Sequence, residues 1–194
     1  MIRLFAFLIS LASAVSALAG PLHDAAAAGD ISTVRSLIAE DVDVNEPKPG
    51  KSGETPLMLA AINGQALVVK VLAESGADVE PADTGAPTPL RRVIQHTDLD
   101  QPRVLEVVNV LLASGANPDH DQDAQGRTPL VWALLLAEKR MPLITAGIIE
   151  DLLAAGAECV ATAPSEEGQS LSMRELAKQT GVDALRVWDA HCGE

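Results

Sequence analysis

The tripeptide Thr-Pro-Leu occurs three times in this chain, at residues 55–57, 88–90 and 128–130. A related Pro-Leu-His stands at residues 21–23, and the leucines of the four copies are 35, 33 and 40 residues apart. A motif that recurs at such a period is typical of a repeat architecture, in which each short unit buries its apolar face against the neighbouring units. This periodicity constrains the fold more than any other feature of the sequence.

The copy at residues 53–80 indicates what one unit folds into. Thr55 is a predicted helix N-cap, and Pro56 fits the first helical position, where a missing amide costs nothing. Gly64 and Gly76 are predicted to end two successive helices in the left-handed conformation. The unit is therefore helix, turn, helix. Neither helix is long enough to be stable alone in water, so each unit needs a neighbour.

The same pattern recurs through most of the chain. The segments PLHDAAAAGD, TPLMLAAINGQ and SGADVE resemble ankyrin repeats. The resemblance implies an all-α ankyrin-repeat solenoid of four helix-turn-helix units plus a degenerate C-terminal capping repeat, with no sheet beyond short hairpin fingers. A capping-box pattern, Ser172-x-x-Glu175, supports the cap. We expect repeats at about residues 21–47, 53–83, 86–121 and 126–160, and the cap at 168–192.

One departure from the family pattern concerns the histidine of the Thr-Pro-Leu-His motif. The first unit keeps it as His23, whereas Met58, Arg91 and Val131 take its place in the others. The resemblance implies that this histidine ties neighbouring repeats together by hydrogen bonds. In the middle units the tie is therefore lost or replaced by apolar packing.

A second departure is the length of repeats three and four. From the leading leucine to the closing glycine they span 25 and 26 residues, against 19 in repeat two. In repeat three the insert is Thr97 to Pro102. In repeat four we expect the first helix to extend to Arg140, with Met141-Pro142 as the break. The inserts map to one edge of the stack and are either recognition loops or tolerated length.

The first nineteen residues have the order of a secretory signal peptide. Arg3 is followed by an apolar run, Leu4 to Ala12, and then by Ala17-Leu18-Ala19. The alternative, a membrane anchor, is less favoured because the run barely reaches the roughly 20 apolar residues that a spanning helix needs. We expect cleavage after Ala19, a mature domain at residues 20–194, no membrane span after cleavage, and a periplasmic or secreted location.

The chain is strongly acidic, with a net charge of −13 when histidine is neutral. Such a charge repels phosphate backbones, which argues against nucleic acid, and it steers association toward basic partners. The alternative is that acidity merely keeps an exported protein soluble. We expect another protein as partner, a basic one if charge steers the encounter, and a monomeric chain.

Both cysteines lie near the C-terminus, and export to an oxidising compartment favours a disulfide between Cys159 and Cys192. Aligning LLAAGAEC with VWDAHCGE places them at equivalent points of repeat four and the cap. Stacked helices lie about 8 to 10 Å apart, whereas a disulfide needs Cα atoms within about 7 Å, so the last residues must close the gap. The alternative is two separate thiols.

No motif in the sequence indicates catalysis, a metal site or a cofactor. The cluster Asp119-His120-Asp121-Gln122-Asp123 resembles the start of a calcium loop, but Ala124 and Leu130 stand where that loop needs glycine and glutamate. A solvated hairpin finger explains it better. The four histidines have no metal-binding spacing, and no nucleophile motif or phosphate loop occurs. We predict that the chain is not an enzyme.

The resemblance implies a binding surface on the concave side, formed by finger tips and the ends of first helices. Matched residue by residue, it falls on ten positions: Lys51, Ser52, Glu54, Asn63, Thr84, Pro87, Gln95, Gln125, Arg127 and Leu136. Trp132 is either a binding hot spot or packing between repeats, and packing is favoured because large apolar rings are usually buried. Trp188 is expected to close the C-terminal end.

These observations predict a protein-protein interaction module that scaffolds or inhibits a partner. Two more specific hypotheses stay open at this point. One is an immunity protein that neutralises an envelope-acting toxin, and the other is an envelope stress-protection factor that supports a partner enzyme.

Overall fold

A computed structural model describes residues 19–48, 54–81, 87–95, 101–120, 123–140, 142–160, 162–164 and 170–193. Most of the predicted signal peptide therefore lies outside the described residues. The chain divides into two compact units, Met1–Ala86 and Pro87–Glu194.

The first unit contains two helix pairs. The first pair is α1 (Ala19–Ala28) with α2 (Ile31–Ala39), and the second is α3 (Pro56–Ile62) with α4 (Ala66–Glu74). The first helices α1 and α3 pack on each other, and so do the second helices α2 and α4. Ala26 on α1 and Ala60 and Ala61 on α3 are fully buried, and such small side chains allow neighbouring helices to approach closely.

The ends of these helices follow the predicted capping. The Thr55 hydroxyl oxygen accepts a hydrogen bond of 3.2 Å from the Met58 amide, and Pro56 is the first helical residue. Gly64 and Gly76 have φ values of 73° and 90°, which a side chain would oppose. In the first repeat the position of Gly76 is taken by Asp41, which adopts a left-handed φ of 57°.

The second unit repeats this arrangement. Its first helices are α5 (Pro89–Gln95), α7 (Pro129–Arg140) and α9 (Met173–Thr180), and its second helices are α6 (Gln101–Ala113), α8 (Pro142–Ala154) and α10 (Val182–Cys192). The first helices pack in a row, α5 on α7 and α7 on α9, and the second helices pack as α6 on α8 and α8 on α10. The leading leucines Leu90 and Leu130 are buried, as are Leu22 and Leu57 in the first unit.

The extra length of repeats three and four appears in helices. As predicted, α7 runs to Arg140 and α8 begins at Pro142. In repeat three, residues 96–100 of the insert lie outside the described residues, but α6 is 13 residues long against nine in α4. Part of the insert therefore lengthens the second helix.

The cap is bounded by a short hairpin and a disulfide. Strands β1 (Thr162–Pro164) and β2 (Ser170–Ser172) pair antiparallel and form the one sheet among the described residues, where a finger would precede the cap. Trp188 on α10 is buried, as expected for a residue that closes the end. Cys159 and Cys192 form a disulfide, as predicted.

The way the disulfide gap closes differs from the expectation. Helix α10 continues through Cys192, so the last residues of the chain do not reach across. Cys159 instead lies in the irregular segment after α8, which brings the two Cα atoms to 5.5 Å.

Candidate functional site

Six of the predicted contact residues are at or near the surface. Asn63 and Gln125 are exposed, whereas Glu54, Pro87, Gln95 and Leu136 are half-buried. Asn63 is the C-cap of α3, and its side-chain amide donates a 2.8 Å hydrogen bond to the Leu59 carbonyl oxygen. Lys51, Ser52 and Thr84 lie outside the described residues.

Arg127 does not have the exposed position that the sequence analysis assumed. Only 7% of its surface is exposed. Its Nε donates a 2.7 Å hydrogen bond to Asp123 Oδ2 within an ion pair, and its guanidinium carbon lies 4.2 Å from the ring centroid of Trp132. The interpretation of Arg127 as a surface residue is therefore wrong. A guanidinium packs well on an indole face because the positive charge meets the negative face of the ring.

Asp123 organises this finger, which we define as residues 123–127. Its Oδ1 accepts hydrogen bonds from the amides of Gln125 and Arg127, at 2.9 and 3.0 Å. Its Oδ2 accepts from Arg127 Nε and also from Trp132 Nε1, at 3.1 Å. The finger is thereby fixed to α7. Trp132 is half-buried, and its contacts with Asp123 and Arg127 lie within its own repeat, whereas the sequence favoured packing between repeats.

The protonation behaviour of Asp123 follows from the same contacts. Burial of the carboxylate is the largest single effect and raises its pKa. The hydrogen bonds from Arg127 and Gln125, together with the positive charge of Arg127, outweigh it and hold the pKa below its ordinary value. The carboxylate is therefore charged at neutral pH, as the ion pair requires.

The exposed part of the finger is small and polar. Ala124, Gln125 and Gly126 are exposed, and the Gln125 side-chain oxygen accepts a 3.1 Å hydrogen bond from Arg127 Nη2. The buried arginine thus holds the tip residue in place. A side chain that is already ordered loses less conformational entropy when a partner binds.

Three of the first helices, α3, α5 and α7, begin with a threonine cap. The hydroxyl oxygens of Thr55, Thr88 and Thr128 accept hydrogen bonds from the amide three residues further on, at 3.2, 3.3 and 3.4 Å. All three threonines are buried. The recurring Thr-Pro-Leu motif therefore sets where these three helices begin.

A second contact, which the sequence analysis missed, joins consecutive repeats. The Asn45 side chain accepts a 2.8 Å hydrogen bond from the Asp78 amide and donates one of 3.2 Å to the Gly76 carbonyl oxygen. In the second unit, Asp119 Oδ2 accepts a 2.9 Å hydrogen bond from the Glu158 amide. Asn45 and Asp119 each lie four residues after the left-handed residue of their repeat. This shared spacing is the feature of the sequence from which the contact could have been predicted.

The hydrogen bond between Asp119 and the Glu158 amide places the Asp119 carboxylate in a partly buried position, and its pKa is raised. Burial is the largest effect on its pKa and raises it, the Glu158 amide lowers it, and the negative charge of Glu158 raises it further. Its other oxygen, Oδ1, is buried and has no hydrogen-bond partner in the part of the chain that the structure describes.

Among the described residues, no group of three or more histidine, cysteine, aspartate or glutamate side chains is placed to hold a metal ion. Asp123, from the cluster that resembles a calcium loop, accepts protein hydrogen bonds on both oxygens. Asp121 and Gln122 lie outside the described residues. None of the described helices is both long and apolar enough to cross a membrane.

Comparison with known proteins identifies the repeats. Residues 13–83 match the family model of ankyrin repeats, three copies, and the match begins inside the predicted signal segment. Together with the helix pairs and their glycine and threonine caps, this match defines the class of protein. The chain contains ankyrin repeats, and its fold is the all-α ankyrin-repeat fold.

Several curated proteins are similar to this chain. Ankyrin repeat and SOCS box protein 11 of Mus musculus is 30% identical over 127 residues, which are 66% of this chain and 36% of that protein. Inversin of Gallus gallus is 33% identical over 59% of this chain and 10% of its own length. A palmitoyltransferase of Lachancea kluyveri is 36% identical over 58% of this chain and 15% of its own length. The chain thus spans only about a third or less of these three relatives.

The matched segment belongs to a well-known kind of module. Ankyrin repeats are protein-protein interaction modules, and the fold is typically a binding scaffold without catalytic activity. One relative is named as an enzyme, but the similarity covers only 15% of its length.

Proposed function

We propose that this chain is an exported protein-binding module whose partner contacts the fingers and the first helices. The observation that carries the proposal is the recurrence of the ankyrin unit along both compact units, since this fold typically binds other proteins. The finger at 123–127 adds support, because its Asp123–Arg127 pair orders the exposed Gln125 before any partner arrives.

Export is part of the proposal. It rests on the order Arg3, apolar run, Ala17-Leu18-Ala19 at the N-terminus. The Cys159–Cys192 disulfide supports it, because such bridges persist in oxidising compartments such as the periplasm. N-terminal sequencing of the exported protein is expected to begin at Gly20, and a chain that still begins at Met1 in the envelope fraction would refute cleavage.

Two more specific roles are compatible with this proposed function. The net charge of −13 favours capture of a basic partner, as an immunity protein would capture an envelope-acting toxin. The disulfide-bonded cap suits an envelope stress-protection factor that keeps a partner enzyme active. Activity of the captured partner separates the two roles, because an immunity protein abolishes it and a protective factor preserves it under stress.

The binding surface is tested with the partner captured from an envelope extract. Asn63→Arg and Gln125→Arg place bulky charges on an exposed first-helix end and on the exposed finger tip. Each is expected to weaken partner affinity about tenfold or more, because contacts at an interface centre dominate its energy. Ser36→Arg is the matched control, since Ser36 is exposed on the second helix α2. An equal loss in the control, or none in either variant, would exclude this surface.

A further inference from the structure

Asn45 and Asp119 occupy matching positions at two junctions between consecutive repeats, one in each compact unit. Each lies four residues after the left-handed residue that follows its second helix. The Asn45 amide donates a 2.8 Å hydrogen bond to Asp43 Oδ1, and the Asp119 amide donates one of 2.9 Å to Asn117 Oδ1. The backbone therefore presents both side chains to the following repeat in the same way.

The turns that receive these two side chains also match. They follow the second helix of the next repeat and contain Gly76 and Gly156, whose φ values are 90° and 96°. In each turn, the amide after the glycine donates a 3.0 Å hydrogen bond to the carbonyl oxygen five residues earlier. The carbonyl oxygen of Gly156 therefore corresponds to that of Gly76.

The two side chains differ in the atom that corresponds to this carbonyl contact. Asn45 accepts from an amide on Oδ1, and its Nδ2 donates a 3.2 Å hydrogen bond to the Gly76 carbonyl oxygen. Asp119 accepts the matching amide bond on Oδ2, which leaves Oδ1 in the place of the Asn45 donor. That oxygen is buried and has no partner, and no hydrogen bond reaches the Gly156 carbonyl oxygen among the described residues. Two acceptors therefore stand where the first junction pairs a donor with an acceptor.

We propose that Asp119 is a proton-dependent clamp between repeats three and four. A proton taken from solvent onto Oδ1 makes that atom a donor, which bonds the Gly156 carbonyl oxygen while Oδ2 keeps the Glu158 amide. The carboxylic acid then reproduces both hydrogen bonds of Asn45. In the carboxylate form only the amide bond remains, and a buried acceptor without a partner is destabilising. The clamp is thus closed in acidic surroundings and open at neutral pH.

The surroundings of Asp119 favour the protonated form. Burial is the largest cause of its raised pKa, the hydrogen bond from the Glu158 amide offsets part of it, and the negative charge of Glu158 adds to it. Glu158 belongs to the segment after α8, so the charge that acts across the junction opposes ionisation. On the segment of Asp119 itself, His120 is exposed and Asp123 is paired with Arg127.

The sign of the pH effect follows from the raised pKa. Because the pKa in the folded chain lies above the unfolded value near 3.9, the contribution of the clamp is complete below about pH 3.9 and is lost as pH rises through the folded pKa. This property is independent of the proposed protein-binding function, since it concerns two repeats of one chain and needs no partner.

Urea unfolding of the full chain between about pH 4 and about pH 8 tests the clamp. Asp119→Asn supplies the donor at every pH, so at neutral pH its unfolding equilibrium constant is expected to be about tenfold smaller than that of the native chain. The difference should shrink to about twofold or less near pH 4, where the native carboxyl is protonated. An Asn variant that is no more stable than the native chain at neutral pH, or a difference that is constant with pH, would overturn the proposal.

Two further variants separate the clamp from a general effect of charge. Glu106→Gln is the matched control, because it removes one negative charge from an exposed position on α6 of the same repeat. If it reproduces the pH-dependent gain of Asp119→Asn, the clamp is refuted. Asn45→Asp creates the acceptor pair at the first junction and should destabilise the chain at neutral pH but not near pH 4. The loss should be smaller than the gain at Asp119, since Asn45 is exposed and Asp119 is half-buried. A loss that does not depend on pH would show that the junctions do not correspond.

Carbon-13 NMR of the native chain observes the hydrogen bond directly. The carboxyl signal of Asp119, assigned by its absence from Asp119→Asn, is expected to titrate with a midpoint above about 3.9. The carbonyl signal of Gly156 should shift with the same midpoint, because it gains a donor when Asp119 is protonated. A Gly156 signal that does not follow the Asp119 titration would overturn the assignment of Gly156 as the acceptor.

Discussion

Removal of the Cys159–Cys192 disulfide is expected to destabilise the C-terminal cap strongly. The bridge joins residues 33 positions apart, from the segment after α8 to the last turn of α10. Closing a loop of this length in the unfolded chain corresponds to about 3 to 4 kcal/mol in the chain-entropy treatment. The cap also contacts its neighbour through α10 on α8 and α9 on α7, so it does not depend on the bridge alone.

The perturbation is the double variant Cys159→Ser with Cys192→Ser, which leaves no free thiol to form dimers. Urea unfolding followed by circular dichroism gives the stability. In chains that also carry Trp132→Phe, tryptophan fluorescence reports on the cap alone, because Trp188 lies on α10 and is only 4% exposed. We expect the fluorescence transition to move to lower urea and to precede the main loss of helix, because repeat units can unfold separately.

The native chain treated with a dithiol reductant is the control and is expected to behave like the double variant. Thiol counting on the unfolded, unreduced chain must find no free thiol. An unfolding free energy within about 0.5 kcal/mol of the oxidised native value would refute the reasoning, because ordinary surface substitutions already reach that size.

Three other changes have definite expected outcomes. Asp41→Gly should raise stability by about 1 kcal/mol in urea unfolding, because Asp41 holds a left-handed φ of 57° that glycine adopts freely; a loss would contradict this. Arg127→Glu should cost about 3 kcal/mol, since it breaks a buried pair and places two carboxylates together, and an unchanged melting temperature would show that the ion pair is unimportant. Asp30 is the N-cap of α2, and hydrogen bonds from Ser32 and then Thr33 lower its pKa to about 2. The contribution of the Asp30 carboxylate to stability is therefore complete above its pKa in the unfolded chain, near 3.9, and is lost as pH falls through about 2. The stability gap between the native chain and Asp30→Ala should therefore shrink over that pH window, and a gap that is constant with pH would exclude the carboxylate as its source.

Local structure could be predicted from the sequence because it depends on neighbours along the chain. A threonine hydroxyl reaches an amide three residues away, and a glycine adopts a left-handed φ wherever it stands. The helix pairs, their ends and the break before Pro142 were correct for this reason. The same holds for the family, since a recurring motif does not depend on how the units pack.

The candidate surface was only partly predictable. The sequence placed Arg127 beside the exposed finger tip, and the matched position gave no sign that its side chain turns inward. Whether an arginine faces solvent depends on whether an anion and an aromatic ring lie within reach, and here Asp123 and Trp132 provide both. That arrangement requires the finger to fold back on α7, which local preferences do not specify.

The sequence alone thus determined the repeat unit, its caps and the ankyrin type of the repeats, because each depends on residues within about one unit of one another. Only the tertiary structure decided which polar side chains are buried, how Cys159 reaches Cys192, and how Asn45 joins one repeat to the next. The disulfide and the hydrogen bond between Asn45 and Asp78 each join positions 33 residues apart. Distances of that kind are set by the packing of one helix pair on another, and sequence spacing alone does not fix them.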